Sequence, residues 1–130
     1  MKMNDASLIE AAKKYRESAY VPYSNFKVGA AVLTKSGKVF GGCNVENASY
    51  PVGCCAERTA ICKAVSEGER DLEAIAIVAD TEGPCAPCGM CRQFIAEFGI
   101  PRILMANMKG VVKVVTPDEL LPFSFSGKDL

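Results

Sequence analysis

Leu8, Ala12, Tyr15 and Ala19 recur every three or four residues behind Ser7-x-x-Glu10, and Pro22 stops the run. This spacing predicts a first helix opened by a capping box at Ser7. The period then shortens. Residues 26–34 and 39–45 are β-leaning runs flanking Lys35-Ser36-Gly37-Lys38, a turn short enough for an antiparallel hairpin. A loop at 46–53 follows, and residues 55–67 are rich in helix formers up to Gly68, where a C-cap falls. Residues 72–79 form a nearly unbroken apolar run, as in a strand covered on both faces. Residues 84–89 are turn-rich, 90–98 are helical, and Gly99-Ile100-Pro101 ends that helix. The last strands, 103–106 and 111–116, are separated only by 107–110, too short for a parallel crossover, so an antiparallel pair is expected. Thr116-Pro117-Asp118-Glu119 opens a short final helix with proline at its first position and a second capping box.

The resulting order, α-β-β-α-β-α-β-β-α, fits one mixed α/β sheet with helices on both faces. No repeat, low-complexity tract or linker composition divides the 130 residues, so residues 1–130 are expected to form one domain.

Charge narrows the partners. Fifteen basic residues balance fifteen acidic ones without a like-charged block, which disfavours a broad grip on nucleic acid or an anionic membrane. A small-molecule partner is expected. Residues 1–14 are polar, and the longest apolar run, 74–79, is far shorter than a membrane span; a cytoplasmic protein is the expectation. Histidine is absent, which excludes Ser-His-Asp and Cys-His sites and every His-ligated metal. Seven cysteines, an odd number, point to thiols or metal ligands rather than a disulfide framework.

Candidate chemistry gathers at Cys55-Ala56-Glu57 and Cys88-Gly89-Met90-Cys91, each at a predicted helix start. If each helix follows its strand directly in a parallel arrangement, both starts emerge at the sheet edge where ligands of such folds bind. Helix N-termini favour thiolate. Three sulfurs suit a catalytic zinc site that keeps a position open for water, whose pKa the metal lowers from about 15.7 to about 7. Glu57, two residues past Cys55, can border that site from outside the ligand set. A lone CxxC would equally suit a redox pair or half of a noncatalytic zinc module. Pro84-Cys85-Ala86-Pro87-Cys88 also spells PCxxC. The Cys88 and Cys91 register is favoured because Cys91 can begin the following helix, whereas Pro87 sits inside the competing loop. Cys43, Cys54, Cys62 and Cys85 are then expected to be ordinary thiols.

Asn44-Val45-Glu46-Asn47-Ala48, Cys55-Ala56-Glu57-Arg58-Thr59-Ala60 and Pro87-Cys88-Gly89-Met90-Cys91-Arg92-Gln93 resemble the small, all-cysteine cytidine deaminases. The likeness runs from Pro22-Tyr23-Ser24-Asn25-Phe26-Lys27-Val28-Gly29 to the tail. It implies a three-layer α-β-α sandwich with a five-stranded mixed sheet. It also implies hydrolysis of cytidine and 2′-deoxycytidine to uridine and 2′-deoxyuridine with release of ammonia. By this resemblance Cys55, Cys88 and Cys91 hold one Zn²⁺, and Glu57 moves protons between the zinc water, N3 and the amine at C4. Arg58 lies against the ligand sulfurs and offsets their charge. Asn44 and Glu46 read the sugar, with Phe26, Tyr50 and Ala56 beside the nucleoside. The resemblance further implies a homotetramer with active sites at its interfaces, into which Phe125 of a neighbouring subunit enters. Arg92 and Gln93 are read as structural groups. Deamination of another free base or nucleoside is the competing enzyme reading, and the zinc or CxxC redox module the competing noncatalytic one.

Overall fold

The computed structural model describes residues 3–130. Met1 and Lys2, part of the polar N-terminal stretch, lie outside the described residues. Helix α1 spans Asp5–Arg16. Its N-cap is Asn4, whose side chain accepts from the Ser7 amide at 2.8 Å, so the helix begins earlier than the Ser7 box predicts. It also ends earlier: the amides of Glu17, Ser18 and Ala19 bond three residues back, tightening the chain out of the helix before Pro22.

Strands β1 (Val28–Thr34) and β2 (Val39–Cys43) form the expected hairpin, with Gly37 at φ 94° in the turn. Both are shorter than the apolar runs. Phe26 precedes β1, and Asn44 ends β2 by turning its amide onto the neighbouring backbone. Val45 instead makes isolated bridges to Tyr20 and Cys54. The loop beyond contains a single 3₁₀ turn, Tyr50–Val52. Helix α2 is Ala56–Ser66, β3 Leu72–Ala79, α3 Gly89–Glu97, β4 Arg102–Asn107, β5 Val112–Val115 and α4 Pro117–Leu120. The Thr116 and Glu119 capping box is present in full, with Pro117 at the first position.

The sheet order is β2-β1-β3-β4-β5; only β3 and β4 pair in parallel. Alternation along β3 divides the core. Ala74, Ala76 and Val78 meet Leu8, Ile9 and Ala12 of α1 on one face, while Ile75, Ile77 and Ala79 meet α2 and α3 on the other. This is the expected α-β-α sandwich around a five-stranded mixed sheet.

The predicted parallel arrangement and direct strand-to-helix passages need correction. Loops separate β2 from α2 and β3 from α3, and β1 lies between β2 and β3. Yet β2 and β3 are both antiparallel to β1, so they run the same way and deliver α2 and α3 to one sheet edge. Close packing fixes α2 there: a Cβ on Gly42 would stand 2.6 Å from the Ala60 backbone nitrogen. No helix among the described residues is long and apolar enough to cross a membrane.

Candidate active site

Cys55 and Cys88 occupy the N-cap positions of α2 and α3, both in extended conformation, and neither side chain caps its helix. Their sulfurs are left free to face each other, 3.7 Å apart. Cys91, in the first turn of α3, is buried, and its sulfur completes a group whose three atoms lie within 4.8 Å of one another. All seven cysteines are free. A tetrahedral zinc centre with Zn–S bonds of about 2.3 Å needs sulfurs about 3.8 Å apart, so the spacing and the soft donor set fit Zn²⁺. A hydrogen bond from Cys91 lowers the Cys55 thiol to about 5, with Arg58 adding to the effect, and the same bond raises Cys91. The Cys55 sulfur already favours thiolate.

Arg58, one turn on from Cys55, donates from Nη2 to the Gly53 carbonyl at 3.1 Å and to Cys55 Sγ at 3.8 Å. Its Nε is buried with no partner. The guanidinium therefore stands against the Cys55 sulfur, where its charge would oppose the excess negative charge of three metal-bound thiolates. Cys54 faces elsewhere and accepts from Thr59 Oγ1 at 3.4 Å.

Glu57 lies on the buried side of α2 with Ala56, Ala60, Ile61 and Ala64, and is only 4% exposed. Burial pushes its carboxyl up to about 7, and the charge of Cys55 acts in the same direction. Such a group holds or releases a proton near neutrality. Glu57 lines a hollow of about 220 Å³ with Phe26, Asn44, Cys55, Ala56 and Cys88. Cys85 lines it as well, a placement that its reading as an ordinary thiol does not anticipate. Burial pushes this thiol up to about 11, so it presents a neutral S–H. It stands outside the three-sulfur group, which settles the register in favour of Cys88 and Cys91.

Asn44 and Glu46 diverge from the end of β2. Asn44 Oδ1 accepts from the Val28 amide at 2.9 Å, and Nδ2 donates to the Phe26 carbonyl at 2.8 Å, leaving one N–H and one lone pair over. Glu46 Oε1 accepts from the Tyr23 and Ser24 amides at 3.0 and 3.1 Å, while Oε2 accepts from Ser24 Oγ. These bonds, the Ser24 hydroxyl foremost, hold its carboxyl below the usual range. Glu46 and Tyr50 line a second hollow of about 330 Å³, which shares Asn44 and Cys55 with the first and also reaches Arg58 and Met90. A third, of about 340 Å³, contains Tyr23, Ser24, Glu46 and Tyr50.

Phe125 lines none of these hollows: it is 58% exposed, and its carbonyl accepts from Gln93 Nε2 at 2.8 Å. Arg92 donates to the carbonyls of Pro87 and Leu120, tying the cysteine loop to the end of α4. Arg92 and Gln93 thus each hold a backbone segment in place, the kind of contact expected of structural groups. Ser24 and Cys85 are the neighbours that the sequence reading misses. The Tyr23-Ser24 pair precedes Asn25, whose φ of 61° is the local signal of a special turn.

Sulfur ligands on two helix starts, with a carboxylate kept outside their set, are features of the zinc-dependent deaminases, and this chain carries both at one sheet edge. Residues 2–107 match the family described as the cytidine and deoxycytidylate deaminase zinc-binding region. Over 130 residues the chain is 53% identical to a cytidine deaminase of Sporosarcina psychrophila, covering 98% of this chain and 96% of that one. It is 51% identical to a cytidine deaminase of Halalkalibacterium halodurans, with 98% of each covered. The crystal structure of a cytidine deaminase from Burkholderia pseudomallei matches with a TM-score of 0.92 at 55% identity, over 95% of this chain and 100% of that one. The chain belongs to the cytidine and deoxycytidylate deaminase family and is a zinc-dependent hydrolytic enzyme.

Proposed function

We propose that this enzyme hydrolyses cytidine and 2′-deoxycytidine to uridine and 2′-deoxyuridine, releasing ammonia, as a step of pyrimidine salvage. The observation that carries the reading is a buried Glu57 carboxyl, pushed up to about 7, facing a hollow bordered by two sulfurs of the metal cluster. Cys55, Cys88 and Cys91 would hold one Zn²⁺ per subunit. When bound, the metal supplies Lewis-acid activation of water at neutral pH. Glu57 takes a proton from the attacking water, delivers one to N3 of the pyrimidine and passes one to the amine leaving C4. Water is consumed and ammonia departs, so the atoms balance.

Phe26 and Ala56 line the hollow that takes the base, and the spare N–H and lone pair of Asn44 meet a sugar hydroxyl. Glu46, an acceptor-only carboxylate, accepts a hydrogen bond from the sugar as well, chiefly from its 3′-hydroxyl, which favours a nucleoside over a free base. Tyr50, 75% exposed, and Phe125 would be covered in a homotetramer, with Phe125 of one subunit completing a neighbour's site. Residues 1–130 act as one domain, and the setting is cytoplasmic.

Ultraviolet-monitored conversion of cytidine, deoxycytidine, cytosine and adenosine side by side tests the substrate class. Both cytosine nucleosides should react; cytosine as the sole substrate would overturn sugar recognition. Glu57→Gln should retain zinc while turnover falls by about 10³-fold. Unaltered turnover, with the metal in place, would remove Glu57 from the chemistry.

A further inference from the structure

The carboxylate assigned to the sugar does not stand alone. Residues 23–28 are laced to residues 44–46, and Ser24 sits at the centre of the lacing. Its hydroxyl donates to Glu46 Oε2 and accepts from the Phe26 amide at 3.0 Å, while the amides of Tyr23 and Ser24 both reach Glu46 Oε1. Asn44 closes the ring through the Phe26 carbonyl and the Val28 amide. Asn25 makes this possible: its left-handed φ of 61° folds the chain back, so that Ser24 Oγ reaches an amide two residues on. Ser24 is exposed and Glu46 half-buried. Without those donors a half-buried glutamate beside open solvent would sample several rotamers, and ordering it on substrate would cost affinity.

We infer that Ser24 is a positioning residue that sets discrimination for the sugar hydroxyl read by Glu46. This inference rests on the sugar-binding role proposed above for Glu46. The three donors fix both oxygens and keep the group ionised, hence an acceptor only. Oε2 receives one of those three bonds, so it keeps acceptor capacity for a hydroxyl of the nucleoside. A nucleoside lacking that hydroxyl gains nothing from the arrangement. Ser24 therefore acts on the difference between two substrates, and through Glu46 rather than by its own contact.

The test compares cytidine with 2′,3′-dideoxycytidine in the zinc-loaded enzyme. In Ser24→Ala, KM for cytidine should rise by about tenfold, as expected for loss of one hydrogen bond to a charged group, with kcat within about twofold. Turnover of the dideoxy compound should be unchanged, and Ser24→Thr, which keeps the hydroxyl, should restore wild-type discrimination. Equal losses for both nucleosides in Ser24→Ala, or no loss for either, would overturn the inference. Glu46→Gln separates this result from failure of the underlying reading. If Glu46→Gln abolishes discrimination while Ser24→Ala does not change it, only the role of Ser24 falls. If Glu46→Gln leaves discrimination intact, the sugar role of Glu46 falls and takes the inference with it.

Discussion

Glu57 occupies a helical position that a small apolar residue would ordinarily fill. It stands in the stripe with Ala60, Ile61 and Ala64, all turned toward the sheet, and its desolvation is the direct result of that register. The consequence for stability has a definite sign. In the metal-free protein the folded state keeps a proton on Glu57 up to about pH 7, whereas the unfolded chain releases it near 4.5. The stabilising contribution is complete below pH 4.5 and is lost as pH rises through 7, a change of about 3 kcal/mol. Urea unfolding of metal-free wild type and Glu57→Gln at pH 4.5 and pH 8 should show the variant gaining about that much relative to wild type. A pH-independent difference would contradict the burial argument. The helix itself was legible in the sequence, in the helix formers of residues 55–67. The role of Ser24 was not: its hydroxyl reaches Glu46 across twenty-two positions, a contact that no local pattern encodes.

At the scale of elements, hydrophobic period and turn residues gave every strand and α-helix among the described residues its type, and β3 its ends as well. The errors fell at boundaries. Phe26 and Val45 read as strand because both are β-formers, but the Asn44 side chain takes the backbone groups of Phe26 and Val28 that a longer hairpin would have used. The Ser7 box lost to Asn4 because a residue three positions upstream satisfied the same amide. The approach of α2 to β2 was also invisible in sequence, since a glycine in a strand does not announce what passes over it. Gly42→Ala should destabilise the protein by about 2 kcal/mol, because the added methyl meets the backbone of α2, which cannot move aside as a flexible side chain would. Denaturant melts would reveal it. Little change in midpoint would mean that α2 shifts freely, and the α2 end of the metal cluster would then lack a fixed support.

For the whole molecule, the sheet matters less as a core than as a device for direction. Two strands running the same way on either side of β1 bring thiols 33 positions apart in the chain into contact at one edge. Sequence spacing suggested convergence through helices that follow their strands directly in a parallel arrangement; the structure achieves it across the intervening β1 and through loops. A metal gripping Cys55 and Cys88 closes that long loop much as a covalent crosslink does, and a crosslink of such length is worth about 4 kcal/mol. Chelation by a high-affinity zinc chelator should therefore lower Tm by about 10 °C or more, as followed by circular dichroism. A chelated protein melting at the original temperature would show that the fold holds the two helix starts together unaided.

Neither α2 nor α3 has a side-chain oxygen at its N-cap, because that position is given over to sulfur in both. Stripping the cation would leave the opening turns of two distant segments unprotected at once. Deuterium uptake should then quicken together near residues 56–59 and 89–92, so that fraying at one end reports the loss of its companion.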